Sequence, residues 1–193
     1  MPHVGVLALQ GDYEAHGRVL SELDVSWQLV KMPRELDAVD GLIIPGGEST
    51  TLLKLMAPIA MRPALERFHA QGRPIFGTCA GLILLARETR KPAQESLGFI
   101  DIVAERNAYG RQIDSFIGEG TPLVADLEPG PINMVFIRAP KIAAWCDSVI
   151  PLASCRDDVV LARQDNVVVA SFHPELTTDR RVHQYFLDMV AAG

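Results

Sequence analysis

A short apolar run in the middle of the chain ends in a Gly-Thr-Cys-Ala-Gly turn and continues into an apolar, alanine-rich segment. Residues 74–86 are therefore predicted to form a strand, a tight turn and a helix, with Cys79 at the apex. The residues beside such an apex must be small, and Gly77 and Gly81 meet that requirement. The turn exposes its central side chain beside the positive end of the helix, which stabilises a thiolate or an oxyanion. Cys79 is thus a candidate nucleophile.

The first half of the chain alternates apolar strands with helical segments, which predicts an α/β fold with a mostly parallel central sheet covered on both faces. The predicted strands lie at 4–9, 27–30, 42–44 and 74–76, and the helices lie at 12–23, from about 49, and at 63–71.

The second half is richer in strands, predicted at 99–104, 132–137, 149–153, 159–162 and 167–172. Their close spacing predicts antiparallel strands added to the main sheet. Residues 118–131, rich in Pro, Gly and acidic residues, are predicted to be a surface loop. A final helix carries a stripe of apolar residues on one face: Val182, Tyr185, Phe186, Met189 and Val190.

A cysteine nucleophile needs a base, usually histidine, and the histidine needs a group that orients it. His173 follows a predicted strand, and Glu175 comes two residues later with Pro174 stiffening the link. The carboxylate of Glu175 can therefore reach the imidazole nitrogen that faces away from Cys79. A lone histidine at a strand end is more often structural, but its pairing with the cysteine turn favours a catalytic role.

A third segment, Pro-Gly-Gly-Glu-Ser-Thr-Thr at residues 45–51, follows the third predicted strand. Its glycines allow a backbone N–H group to point into a site, and a helix start follows. An ordinary turn explains this loop equally well when it is taken alone. However, Gln10, the Gly46–Gly47 pair and Cys79 all lie at carboxyl ends of predicted parallel strands, where sites form in open α/β sheets.

Composition narrows the classes of function. The chain has 193 residues, 48% of them hydrophobic, which predicts a single domain over residues 1–193. A net charge of −6 argues against nucleic acid or an acidic membrane surface as a partner. No long apolar run or signal peptide is evident, and three cysteines form no disulfide framework, so a cytoplasmic location is expected. No metal-ligand spacing is present, and no metal or cofactor is expected.

These segments together resemble the class I, triad-type glutamine amidotransferases, which implies a flavodoxin-like three-layer sandwich. Within that class the chain is similar to the glutaminase subunits of pyridoxal 5'-phosphate synthase. The specific segments are Glu-Ser-Thr-Thr after Gly47, Arg-Asn-Ala-Tyr-Gly-Arg-Gln from Arg106 and Phe-Ile-Arg-Ala-Pro from Phe136. The resemblance covers nearly the whole chain, from Val4 to Val190.

The resemblance implies the residue roles. The triad would be Cys79, His173 and Glu175, the oxyanion hole would use backbone N–H groups of Gly47 and Ala80, and Gln10 and Gly46 would belong to an activation or interface region. L-glutamine would be bound by Gly47, Glu48, Ser49, Arg106, Ile137 and Arg138. The partner would be a separate synthase subunit that receives the ammonia in a heteromeric complex.

Three other functions remain open at this point. The chain could be the glutaminase of another pathway, such as imidazole glycerol phosphate synthesis, although the segment after Gly47 favours vitamin B6. It could be a cysteine hydrolase or stress protein of the DJ-1/PfpI group, although those usually carry histidine where Ala80 stands. It could be a non-catalytic module, although all three triad residues are present.

Overall fold

The computed structural model describes residues 2–106 and 115–193. The helices in these ranges are α1 (Tyr13–Glu22), α2 (Ser49–Met56), α3 (Met61–Ala70), α4 (Ala80–Leu85) and α5 (Arg181–Ala192). The strands in these ranges are β1 (His3–Leu7), β2 (Ser26–Val30), β3 (Gly41–Ile44), β4 (Ile75–Thr78), β5 (Ala86–Arg90), β6 (Ile100–Glu105), β7 (Ser115–Pro122), β8 (Ile132–Ile137), β9 (Lys141–Trp145), β10 (Ile150–Cys155), β11 (Asp158–Gln164) and β12 (Val167–Ala170).

The central sheet has the strand order β2-β1-β3-β4-β12-β11-β10-β7-β8 in the described part of the chain. Strands β2, β1, β3, β4 and β12 pair in parallel, and the remaining four strands continue the sheet with antiparallel pairs. A smaller sheet contains β5, β6 and β9. The predicted α/β fold, with a parallel part extended by antiparallel strands of the second half, is confirmed.

The central strands send alternate side chains into two separate hydrophobic cores. On β4, Ile75 packs into one core and Phe76 into the other, and Val167 and Val168 on β12 divide in the same way. Helices α2, α3 and α4 cover the first core, while α1 and α5 cover the second. A central sheet between two helical layers is the three-layer arrangement that the sequence predicts.

The prediction of a surface loop over residues 118–131 was wrong at its start, because β7 extends through Pro122. Glycine is uncommon in strands, so Gly118 and Gly120 concealed this one. Gly120 is required by packing, since a Cβ there would lie 2.2 Å from the Met134 Cε atom on the neighbouring strand. The strands β5 and β9 were also missed.

Candidate active site

Four neighbouring parallel strands bring the predicted site residues to one edge of the sheet. Gln10 follows β1, the Gly46–Gly47 pair follows β3, Cys79 follows β4 and His173 follows β12. These strands lie in the order β1-β3-β4-β12, so segments that are far apart in sequence meet at their carboxyl ends. The predicted convergence is therefore present in the structure.

Cys79 has φ 48° and ψ −100°, a conformation that a non-glycine residue rarely adopts. Its backbone N–H donates to the carbonyl of Ala170 on β12 at 2.8 Å, which fixes the turn against the neighbouring strand. Both flanking glycines are sterically necessary. A Cβ on Gly77 would lie 2.7 Å from the carbonyl carbon of Gly81, and a Cβ on Gly81 would lie 2.2 Å from the Ile44 carbonyl oxygen.

His173 lies between the thiol and a buried carboxylate. Its Nδ1 atom is 2.7 Å from Oε1 of Glu175, and its side chain lines the same cavity as Cys79. Burial opposes protonation of His173, but the hydrogen bonds to Cys79 and Glu175 outweigh it and raise the His173 pKa to about 10. Burial likewise opposes ionisation of Glu175, but His16 and His173 lower the Glu175 pKa to about 2.

The loop after β3 is held by contacts with the loop after β1. The Gly46 carbonyl accepts a hydrogen bond from the Asp12 N–H at 3.3 Å, and the Glu48 N–H donates to Oε1 of Gln10 at 2.8 Å. A Cβ on Gly46 would lie 2.4 Å from Cε1 of His173, and one on Gly47 would lie 2.5 Å from Oε1 of Gln10. Glycine at both positions therefore lets the loop approach the base and the Gln10 side chain closely.

A cavity of about 270 Å³ opens beside Cys79. Its lining includes the predicted nucleophile and base and all of the residues predicted to bind substrate, together with Gln10 and Ile83: Gln10, Gly47, Glu48, Ser49, Cys79, Ile83, Arg106, Ile137, Arg138 and His173. Ala80, Glu175 and Gly46 lie behind this lining. The volume suits a small molecule of amino-acid size.

One end of the cavity carries opposite charges. Arg106 Nη2 lies 3.2 Å from Oε1 of Glu48, and the Arg106 side chain is only 14% exposed. The Thr50 hydroxyl and the N–H and hydroxyl groups of Thr51 stabilise the Glu48 carboxylate and lower its pKa. The cavity can therefore offer a cation and an anion to a zwitterionic ligand. Of the predicted segment that begins at Arg106, residues 107–112 lie outside the described residues.

The segment after β8 reaches the nucleophile through its backbone. The Ile137 carbonyl oxygen lies 3.9 Å from Sγ of Cys79, and Arg138 has a positive φ of 43°. The Val135 carbonyl accepts a hydrogen bond from the His173 N–H at 2.8 Å. Strand β8 thus contacts both the nucleophile and the base segment.

The sequence reasoning missed three polar residues near this site. Gln94 accepts a hydrogen bond from the Ser49 hydroxyl at 2.9 Å. Buried His16 lies 3.5 Å from Glu175, and buried His183 contacts His16 at 3.1 Å. His16 and His183 are separated by 167 residues, so no local motif could have associated them.

Residues 2–106 and 115–193 contain no group of three or more His, Cys, Asp or Glu residues placed to hold a metal ion. They also contain no helix long and apolar enough to cross a bilayer.

Comparison with known proteins identifies the family. Residues 6–192 match the model of the SNO glutamine amidotransferase family. The chain belongs to the SNO glutamine amidotransferase family. A relative from Thermosipho africanus (strain TCF52B), pyridoxal 5'-phosphate synthase subunit PdxT, is 51% identical over 97% of this chain and 98% of its own length. The PdxT of Carboxydothermus hydrogenoformans is 45% identical over 98% of each chain.

Solved structures agree with this assignment. A crystal structure of a glutamine amidotransferase has a TM-score of 0.90 and 41% identity, covering 97% of this chain and 98% of that one. The Thermotoga maritima PurLQS structure has a TM-score of 0.76 at 16% identity and covers 97% of this chain and 98% of that chain, which shows the shared fold alone. Membership of the SNO family thus agrees with the resemblance inferred from the sequence.

Proposed function

We propose that this protein hydrolyses L-glutamine to L-glutamate and ammonia as the glutaminase subunit of pyridoxal 5'-phosphate synthase. The observation that carries the proposal is the strained Cys79 beside His173 in one cavity, with Nδ1 of His173 at 2.7 Å from buried Glu175. Family membership selects glutamine amide hydrolysis among the reactions that a Cys-His-Glu triad can perform. The names of the relatives support the vitamin B6 pathway over other glutaminase pathways.

In the first half of the reaction, the Cys79 thiolate attacks the side-chain carboxamide carbon of glutamine. Backbone N–H groups of Gly47 and Ala80 stabilise the resulting oxyanion. The C–N bond then breaks, and the protonated His173 donates its proton to the departing nitrogen. Ammonia leaves, and a γ-glutamyl thioester remains on Cys79.

In the second half, water attacks the thioester while His173 accepts one of its protons. The C–S bond breaks, glutamate leaves, and the thiolate and imidazolium pair is restored. Glu175 stays ionised throughout and holds Nδ1–H of His173, so that the other ring nitrogen faces the thiol. The raised pKa of His173 fits an imidazolium that is available to protonate the departing nitrogen.

Arg106 and Glu48 recognise the α-amino-acid end of glutamine in this proposal. Arg106 pairs with the α-carboxylate and Glu48 with the α-ammonium group, with Ser49 and the backbone at Ile137 and Arg138 completing the pocket. The mutual ion pair of Arg106 and Glu48 supports this assignment, because it holds both charges at the cavity in the absence of substrate.

The ammonia passes to a separate synthase subunit, since free ammonia in water is protonated and ceases to be a nucleophile. Docking of the synthase subunit controls the orientation of the peptide between Gly46 and Gly47. Rotation of this peptide creates or removes one of the N–H donors of the oxyanion hole, and so switches glutaminase activity on or off. Gln10 supports this role through its hydrogen bond to the next peptide N–H, that of Glu48. We also propose a single catalytic domain in the cytoplasm, in keeping with three free cysteines.

The deciding experiment mixes the protein with its synthase subunit and measures glutamate released from glutamine. Cys79→Ala should abolish release, whereas Cys146→Ala, which removes a thiol outside the cavity, should leave it unchanged. Full activity in Cys79→Ala would refute the mechanism. Ammonia-dependent synthesis of pyridoxal 5'-phosphate should survive Cys79→Ala, because the synthase then receives ammonia from solution.

A further inference from the structure

Two completely buried histidines lie in series behind Glu175: His16 approaches its second carboxylate oxygen, and His183 contacts His16. His16 on α1 places Nε2 at 3.5 Å from Oε2 of Glu175 and at 3.2 Å from Oγ1 of Thr78. His183 on α5 places Nε2 at 3.1 Å from Nδ1 of His16. Neither Oε2 of Glu175 nor Nδ1 of His183 has a hydrogen-bond partner among the described residues, so the 3.5 Å approach of His16 to Oε2 is an electrostatic contact.

The available hydrogen-bond partners determine which ring nitrogens of His16 and His183 carry protons. Burial lowers the pKa of both histidines, that of His183 to about 3, so each ring is neutral and carries a single N–H. If His16 donated from Nδ1, its bare Nε2 would face the carboxylate, and His183 would bury an N–H without an acceptor. In the opposite arrangement His183 donates from Nε2 to His16, and His16 donates from Nε2 toward Glu175 and Thr78. That arrangement leaves only the Nδ1 acceptor of His183 without a partner, which costs less free energy than leaving a buried N–H donor without one.

We propose that His16 and His183 are positioning residues that hold the Glu175 carboxylate in place through a chain of two neutral imidazole donors. The chain runs from α5 through α1 to Oε2 of Glu175, while Oε1 of the same carboxylate holds His173. The proposal rests on the glutaminase function proposed above, in which Glu175 orients the base.

This arrangement requires both imidazole rings to be neutral. A cation at His16 would compete with the His173 imidazolium for the same carboxylate. His16 faces Glu175, His173 and Asp12, and His183 faces His16, Glu175 and Arg180. The carboxylates raise the pKa values and the neighbouring cations lower them, but burial is the largest influence on both rings and keeps them uncharged.

The first test compares His16→Leu with His16→Gln in the complex with the synthase subunit. His16→Leu should lower kcat for glutamate release about 10-fold, which corresponds to the free energy of one hydrogen bond to a charged group. KM should change less than about twofold, because His16 does not line the cavity. The acid limb of the kcat profile should move to higher pH, since the Glu175 carboxylate loses a donor. His16→Gln, which keeps an N–H near the position of Nε2, should restore most of kcat and the limb.

The matched control is His69→Leu, which removes another neutral, partly buried histidine far from the cavity and should leave kcat unchanged. An active wild-type complex in which His16→Leu keeps its kcat and acid limb would overturn the inference. Equal loss in His16→Gln and His16→Leu would also overturn it. A wild-type complex that releases no glutamate would instead refute the proposed function itself.

A second measurement needs no variant and so does not depend on variant folding. Nitrogen-15 NMR of the wild-type protein at about pH 7 should show both His16 and His183 as neutral Nε2–H tautomers, because burial lowers the pKa of each ring below its usual value. A His16 ring protonated on Nδ1, or protonated on both nitrogens at that pH, would contradict the proposal.

Discussion

At the scale of single residues, Cys79 holds an unfavourable backbone conformation that its surroundings enforce. The hydrogen bond from its N–H to Ala170 and the bond from the Ile83 N–H to its carbonyl, at 3.2 Å, anchor it on both sides. A positive φ in a residue other than glycine is costly, by about 1–3 kcal/mol. The strain serves the chemistry, because it places Cys79 in the lining of the cavity that His173 also lines.

Glu175→Gln tests the electrostatic role of the carboxylate. The variant should lower kcat by about 10³–10⁴-fold, as expected when a triad orienter loses its charge. Because Glu175 helps to raise the His173 pKa, that pKa should fall in the variant. The high-pH limb of the kcat profile, where the imidazolium is lost, should therefore move to lower pH. If the high-pH limb stays at its wild-type position, Glu175 does not raise the pKa of His173.

Arg106→Leu tests recognition of the α-carboxylate. The loss of one charge-assisted contact should raise KM for glutamine about 10-fold or more and change kcat much less. Arg87→Leu is the matched control, since Arg87 lies outside the cavity and pairs with Asp101 on the smaller sheet. Equal effects of the two substitutions on KM would exclude a specific role for Arg106.

The buried histidines also predict how stability depends on pH. Folding lowers the pKa values of His16 and His183 from 6.5, so below pH 6.5 the unfolded state binds more protons than the folded state. Stability should therefore fall as the pH drops below 6.5, and the contribution of His183 should continue to fall toward pH 3, by about 1.4 kcal/mol per pH unit. Urea unfolding at several pH values measures this slope, and His183→Phe should make it shallower. An identical slope in that variant would contradict the assignment.

At the scale of secondary-structure elements, the turn between β4 and α4 requires glycine at positions 77 and 81, because a Cβ at either position would collide with neighbouring backbone atoms. Gly81→Ala should destabilise the protein by about 1–3 kcal/mol, because its new Cβ meets the Ile44 backbone rather than a movable side chain. Gly118→Ala on β7 is the matched control, since its nearest neighbour would be at 3.4 Å, an ordinary contact. Chemical unfolding compares the two, and similar stabilities would show that the turn can relax.

The sequence predicted elements well where apolar residues follow a regular period. It predicted them poorly where contacts between residues distant in sequence determine the structure. The strand before Cys79, the α5 stripe and the convergence of four strand ends followed from local patterns. Strand β7 did not, because glycine is uncommon in strands and the close packing of Gly120 against Met134 on β8 involves residues that are distant in sequence. His16 and His183 were missed for a related reason: their partners are set by tertiary packing of α1 against α5, not by spacing along the chain.

At the scale of the whole molecule, the proposed switch ties activity to assembly. The isolated subunit should hydrolyse glutamine about 10²–10³-fold more slowly than the complex, the effect of one missing oxyanion donor. Titrating the synthase subunit into a fixed amount of this protein while measuring glutamate release tests the expectation. Release at the same rate with and without the synthase would argue against control by the Gly46–Gly47 peptide.

Strand β12 lies between β4 and β11, although about half the chain separates it from β4 in sequence. Until it is inserted, β4 has no partner on one side, and the Cys79 N–H lacks the Ala170 carbonyl that anchors it. During synthesis on the ribosome, the nucleophile emerges long before the strand that braces it and the histidine that activates it. The order of translation therefore keeps a growing chain from cleaving glutamine and releasing ammonia until residues 167–175 have been synthesised and have folded.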